Sequence, residues 1–477
     1  MKTKTAPPLP PEQPVPIVKP QFNGDVLLRK GAEMPAAMLE KTIEGSAKIA
    51  HSVPENKHVK RARDYWNALG PGITTGASDD DPSGIATYSQ AGAAHGFSFL
   101  WLSLWTFPMM SAVQEMCARI GMVTGRGLAG NIRVYYSRKA IRFATLLLFL
   151  ANAFNIGANL GAMATAVQLL RPSIPFWPIV VGFTLLSLGL QIFMPYQKYA
   201  KYLKWLALVL LSYIVSAILA DIIWGEALKQ TIFPSVDLNK ESLLLICAVL
   251  GTTISPYLFF WQTSQEVEED IEKGKTTLKQ RQSASSPEEV RRMRIDVWTG
   301  MFLSNLVMFF IIAACGSVLY PQGITNIESA AQAAEALRPF AGDATYYLFA
   351  LGIIGTGMLA IPVLAGSSSY AIAESMRWKE GLHRPLKQAH AFYGILILSM
   401  LIGLGLNFVG LDPIKALIYS AVANGLVAPF ILFFIVRLSS NKKVMGHWVN
   451  KRSTTAFGWF TMGAMTLAGI AAIWSLF

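Results

Sequence analysis

Charge is scarce in this sequence. Only 15% of its 477 residues are Asp, Glu, Lys or Arg, and 53% are hydrophobic. Soluble domains carry about 25% charged residues. A water-soluble globular protein is therefore excluded, and a polytopic membrane protein is indicated. Cysteine is almost missing. Cys117, Cys247 and Cys315 fall in separate apolar segments without paired spacing. That excludes a disulfide framework or a thiolate metal centre and leaves buried free thiols. The histidines, His51, His58, His95, His383, His390 and His447, show no metal-ligand spacing. A phosphate loop is lacking, and no nucleophile–base pair suits an intramembrane hydrolase. Enzyme chemistry finds no support, and no cofactor is expected. Nor does a basic segment followed by a short apolar run open the chain, so no secretory signal is expected.

Residues 1–60 carry Pro7, Pro8, Pro10, Pro11, Pro14, Pro16 and Pro20 and no long apolar run. That composition reads as a disordered cytoplasmic tail, ending in a short amphipathic helix near residues 47–63. Residues 61–477 read as an all-α transmembrane domain. A span needs about 20 mostly apolar residues. Eleven candidates lie near 66–94, 97–118, 143–170, 174–194, 204–224, 242–265, 296–320, 344–372, 389–409, 411–437 and 454–476.

The formal net charge of +12 raises nucleic acid as a partner, but its distribution accounts for it. Lys and Arg cluster in alternate loops. Lys57, Lys60, Arg61 and Arg63 precede the first span, Arg126 to Arg142 follow the second, and Lys273 to Arg294 follow the sixth. Similar groups follow the fourth, eighth and tenth. By the positive-inside rule these loops are cytoplasmic, which puts the N-terminus inside a plasma membrane and Phe477 outside. No nucleic acid is needed to explain the excess, and a monomer is expected.

Two spans are interrupted. The first carries Gly76-Ala77-Ser78-Asp79-Asp80-Asp81-Pro82-Ser83-Gly84 at its centre. Intramembrane carboxylates are costly, and Pro82 removes an amide donor and disfavours helix at Asp81. The sixth is interrupted at Gly251-Thr252-Thr253-Ile254-Ser255-Pro256. With five spans per half, the breaks occupy corresponding positions in halves of opposite orientation, repeat one near 66–224 and repeat two near 242–437, with an extra helix near 454–476. That is the pattern of an inverted-repeat transporter whose site lies where the breaks meet. The bland reading of the first break is a polar loop between two short helices.

The candidate ligands are all oxygens: the Asp81 carboxylate, the Thr252 carbonyl freed by Pro256, and the Ser255 hydroxyl, with Asp80 and Gly84 shaping the pocket. Such a set suits magnesium, calcium or manganese. For Thr252 and Ser255 the competing reading is local bonding that caps the kink; for Asp79 and Asp80 it is an aqueous vestibule. Asn152, Asn155 and Asn159 share a face of span three and read first as interhelical hydrogen bonders. Thr356, Ser367, Ser368 and Asn424 read as kink satisfiers, Glu115 and Arg119 as an intrahelical pair. Glu266, Glu268, Glu269 and Asp270 read as a solvated face, with a cation-attracting exit as the alternative.

At these residues the chain resembles the NRAMP family of divalent metal transporters. Gly70-Pro71-Gly72, eight residues, then Asp81-Pro82 matches its first-span spacing. Gly121-Met122-Val123-Thr124-Gly125-Arg126, Ala365-Gly366-Ser367-Ser368-Ser369, and the stretch from Ser420 to Phe430 resemble further family segments. The resemblance implies a LeuT-like fold of eleven spans and alternating access. It also exposes departures. Gly84 stands at the family's Asn ligand position, Ser255 at its Met, Tyr257 and Gln262 at its histidines, and Ala421 at its Gln; asparagines replace an acidic residue on span three. The pattern is similar to the NRAMP-related magnesium transporters. It implies import of Mg2+, with Mn2+ accepted, without tight proton coupling. A proton-coupled Mn2+ or Fe2+ importer, a carrier of organic substrates and a non-transporting receptor or scaffold on the same fold are the alternatives.

Overall fold

The computed structural model describes Tyr65 and residues 69–475, apart from 220–221, 236, 238, 284, 328–329 and 411–412. The expected tail and its amphipathic helix lie outside the described residues. The chain divides at Trp66 into an N-terminal unit and the helical unit considered below.

Every regular element among the described residues is helical. In chain order these are α1 (Pro71–Asp79), α2 (Pro82–His95), α3 (Trp101–Thr124), α4 (Leu128–Tyr135), α5 (Arg138–Leu170), α6 (Phe176–Phe193), α7 (Tyr196–Leu206), α8 (Leu211–Leu219), α9 (Trp224–Ile232), α10 (Lys240–Thr253), α11 (Pro256–Glu272), α12 (Leu278–Ser283), α13 (Pro287–Val318), α14 (Ala330–Met376), α15 (His390–Leu406), α16 (Pro413–Ser439), α17 (Lys442–Met445) and α18 (Arg452–Ser475). Among the described residues, seven stretches are long and apolar enough to cross a membrane: α5, α6, α10 with α11, α13, the Tyr346–Met376 part of α14, Lys415–Ser439 of α16, and α18. The shorter apolar α15, together with α3, the α1–α2 pair and the α7–α8 pair, occupies the other expected places.

Both breaks are narrower than the sequence suggests. Only Asp80 and Asp81 separate α1 from α2, and only Ile254 and Ser255 separate α10 from α11. The construction is the same in each. A residue with ψ near 50–60° ends the first half-helix (Asp80, ψ 50°; Ile254, ψ 60°). An extended residue follows (Asp81, ψ 168°; Ser255, ψ 130°), and proline opens the second half-helix. Proline suits that place because the first turn of a helix needs no amide from it.

The half-helix before each break is held backbone to backbone on a neighbour. α1 lies against α13, where a Cβ on Gly76 would fall onto the Gly300 carbonyl. Gly72 and Gly76, four apart, give the small face that lets two helices approach this closely. α10 lies on α16 in the same way, with Gly251 against the Ala421 carbonyl and Gly425. The start of α1 is fixed by a carboxylate from α13: Asp296 accepts the amides of Gly72 at 2.7 Å and Ile73 at 3.1 Å. These amides are orphans of the first turn, and an anion there also suits the helix dipole. Lys204 of α7 donates to the Leu69 carbonyl at 2.7 Å beside it. α5 packs along α14, α15 and α16, and this wall faces the first break.

Candidate functional site

The two interruptions meet. Ser83 Oγ lies 3.4 Å from Thr252 Oγ1, and Tyr88 Oη 3.2 Å from Thr253 Oγ1. Tyr257 Oη donates to the Ser78 carbonyl at 2.9 Å. That carbonyl belongs to the last turn of α1, which has no helical amide to accept, so a hydroxyl from the second break closes the end of the first. The expected site residues are therefore brought together: Asp80, Asp81 and Gly84 on one segment, Thr252 and Ser255 on the other, all buried.

The three carboxylates have different surroundings, although each is 0% exposed. Asp81 caps α2. Its Oδ1 accepts the Gly84 amide at 2.8 Å, and its Oδ2 accepts Nδ2 of Asn155 and of Asn159, both at 3.0 Å. The Asn155 amide is held in this orientation because its Oδ1 accepts the Ser420 hydroxyl at 3.0 Å. Asp79 Oδ2 accepts the one proton of Ser304 Oγ at 2.8 Å. Asp79 Oδ1 and both oxygens of Asp80 have no hydrogen-bond partner. A buried charge left unpaired is among the most expensive arrangements a protein can hold. Here three acceptor oxygens stand unpaired at one break.

Ser255 behaves as the kink cap. Its hydroxyl faces the carbonyls of Gly251 at 2.8 Å and Thr252 at 2.5 Å. The Thr252 carbonyl keeps a second lone pair, and Ser255 Oγ keeps its own. Gly84 does not open the expected room for water in this conformation. A Cβ there would stand 3.2 Å from both the Asp79 carbonyl and Thr252 Oγ1, so glycine lets the two segments close on each other. Among the described residues no group of three or more His, Cys, Asp or Glu is placed to hold a metal ion. The carboxylates diverge, Asp81 toward α5 and Asp79 toward α13. A cation placed here would have few direct protein ligands and would need carbonyls, hydroxyls or retained water to complete its shell.

Other expectations divide. The span-three asparagines bond between helices as expected; Asn152 Nδ2 reaches the Leu364 carbonyl at 3.1 Å and the hydroxyls of Ser367 and Ser368 at 2.9 and 3.0 Å. Glu115 and Arg119 pair at 3.6 Å, with Arg294 joining at 2.9 Å. The acidic run after span six is not a solvated face. Glu266, Glu268 and Asp270 are buried because the end of α11 packs into the bundle. Glu268 accepts from Tyr370 Oη at 2.6 Å and faces His383 Nδ1 at 2.7 Å, while Asp270 pairs with Lys275 at 2.9 Å. Ser304 escaped the sequence reading; the only signal was a Ser-Asn pair within an apolar span.

Two half-helices broken at matching proline-led turns and facing each other inside an all-helical bundle define a membrane protein of the LeuT-like fold. The family model described as Natural resistance-associated macrophage protein-like matches residues 72–475, and the chain belongs to that family. It is 27% identical over 410 residues to the divalent metal cation transporter MntH of Klebsiella pneumoniae, covering 85% of this chain and 93% of that one. The MntH of Deinococcus radiodurans is likewise 27% identical, over 403 residues, covering 82% and 86%. Among solved structures, the Eremococcus coleocola manganese transporter superposes with a TM-score of 0.67 at 20% identity, covering 89% of each chain. A Na+-coupled sialic acid symporter shares the fold at a TM-score of 0.53 and 13% identity, covering 87% of this chain and 90% of that one.

Proposed function

We propose that this protein carries divalent metal cations across the membrane by alternating access about the two broken helices. The observation that carries the proposal is the set of three unpartnered, fully buried carboxylate oxygens on Asp79 and Asp80, beside Asp81, at the junction of the breaks. A doubly charged cation supplies the compensation that the protein does not. In this reading Asp80 and Asp79 are the primary ligands, with Asp81, the Thr252 carbonyl and Ser255 within the same pocket, and the Asn155 and Asn159 amides keep Asp81 aimed.

The donors are hard oxygens. They suit manganese and magnesium alike and give no preference for a soft metal. The relatives support manganese as cargo, because they are named as divalent metal or manganese transporters. The absence of a thioether at Ser255 supports magnesium as an accepted cargo beside manganese. The lysine and arginine pattern supports a cytoplasmic N-terminus, so that a negative interior drives uptake with about 2.3 kcal/mol per charge per 100 mV.

The test is uptake into proteoliposomes of Mn2+, Mg2+ and Cd2+ with a pH dye inside. Uptake of Mn2+ and Mg2+ with Cd2+ poorly handled supports the oxygen-only site. Stoichiometric acidification with Mn2+ and exclusion of Mg2+ would establish the proton-coupled manganese reading instead. No uptake of any metal would overturn the proposal in favour of a non-transporting role.

A further inference from the structure

A cavity of about 600 Å³ opens where α4, the C-terminal half of α11, α12 and the end of α14 meet. It shares no residue with the break, and its loops are those assigned to the cytoplasm by their positive charge. Six cationic side chains line it, Arg126, Arg133, Arg281, Arg377, Lys379 and Arg384, against three carboxylates, Glu268, Glu374 and Glu380. Two of the carboxylates are committed to neighbours. Glu268 serves Tyr370, His383 and the Leu382 amide, and Glu374 accepts the Gly130 amide at 2.9 Å and the Ser264 hydroxyl at 3.1 Å. Arg281 and Arg384 already hold backbone carbonyls.

Arg126, Arg133, Arg377 and Lys379 are left against one further carboxylate, Glu380, which stands near Arg133 and Arg384. Arg133 lines the cavity, and its Nε and Nη1 are buried without a hydrogen-bond partner. Burial and then the neighbouring Arg377 hold the Arg133 guanidinium below its ordinary value. Arg377 is the one non-glycine among the described residues with a positive φ, 62°. It stands just after α14, at the left-handed position that ends many helices and is usually glycine. An arginine kept at a strained position beside other arginines points to a use for its side chain.

We propose that this cavity binds a phosphate-bearing anion, held by Arg133, Arg377 and Arg126. Guanidinium forks match phosphate oxygens in pairs, and the volume falls within the range of about 300–1,000 Å³ usual for small-molecule sites. Trp378 also lines the cavity, an aromatic residue on which a base could stack. The phosphate comes either from a soluble nucleotide or from the headgroup of an anionic lipid. Because α11 runs from this cavity to the second break, occupancy bears on a helix that alternating access has to move.

The test uses the full chain. Calorimetric titration in detergent with ADP and with inorganic pyrophosphate forms the soluble arm. Native mass spectrometry from nanodiscs containing phosphatidylglycerol forms the lipid arm. The variants are Arg133→Gln and Arg377→Gly; glycine accepts the positive φ, so the second keeps the helix end intact. Binding of ADP or pyrophosphate that weakens about tenfold or more in both variants establishes a soluble ligand. Retention of phosphatidylglycerol by the wild type alone, with no binding of the soluble anions, establishes a lipid headgroup. Binding in neither arm, or binding unchanged in both variants, overturns the proposal.

Discussion

Replacing Asp80 with asparagine is predicted to stabilise the metal-free protein while removing its response to metal. Asp80 is 0% exposed, and neither of its oxygens has a hydrogen-bond partner. A buried acceptor left unsatisfied costs about 1–3 kcal/mol, and a charged one more. Asparagine keeps the shape and removes the charge but still carries an amide to satisfy. The gain is therefore only part of the penalty, about 1–3 kcal/mol. In the wild type a bound cation offsets the same penalty, and a ligand at 100 times its Kd adds about 2.7 kcal/mol. Thermal unfolding followed by tryptophan fluorescence, with and without saturating Mn2+ or Mg2+, separates the two effects because they have opposite signs. Asp80→Asn should melt above the wild type without metal and gain little on adding it. A variant that melts below the metal-free wild type and keeps the full metal-induced rise would refute the reasoning. Stability gained at the expense of activity is the expected trade at a functional site.

Three further outcomes are expected. Asp296→Ala removes a charged acceptor from two amides at the start of α1 and should lower stability by about 2–4 kcal/mol, with Asp296→Asn intermediate; an unchanged melt would show that the cap carries no weight. Gly76→Ala drives a Cβ onto the Gly300 carbonyl and should cost at least about 1–3 kcal/mol by forcing α1 off α13, so a wild-type melting temperature would contradict the packing described. Glu380, in the loop after α14, is pushed up to about 7 by burial. Its folded value lies above its unfolded one, so its protonated form is favoured by the fold, and stability should fall as pH rises from about 4.5 through about 7. Glu380→Gln should flatten that fall in a pH series of melts, and an identical pH profile in the variant would count against it.

The breaks were legible in the sequence because their cause is local. Pro82 and Pro256 each follow a short polar stretch in an otherwise apolar span, and a missing amide acts wherever the chain goes. The charge-rich loops, the asparagine face and the Glu115–Arg119 pair depend on near neighbours or on helical spacing and were legible for the same reason. The roles of the three aspartates were not. Asp81 was expected as a ligand from its place before Pro82, but the sequence does not show that its oxygens accept from Gly84, Asn155 and Asn159 while the unpartnered oxygens fall to Asp79 and Asp80. Which carboxylate is satisfied depends on donors contributed by α5 and α13, more than 70 residues away in the case of Asn155 and more than 220 in the case of Ser304. Glu268 and Asp270 were misplaced on water for a related reason. A run of four acidic residues looks solvated until the receiving surface, with Tyr370 and His383 upon it, is known. The seam between α1 and α13 likewise needs Gly300 beside Gly76, a pairing that only the packed fold provides.

The cation site itself is tested most directly by locating the ion. Crystals grown with Mn2+ and measured near the manganese absorption edge should give an anomalous peak in the break between α1 and α2, in reach of the Asp80 carboxylate directly or through one water. The peak should vanish in Asp80→Asn. A manganese peak bonded elsewhere, with the Asp79–Asp81 turn unchanged and no density beside it, would contradict the assignment of that turn as the cation site.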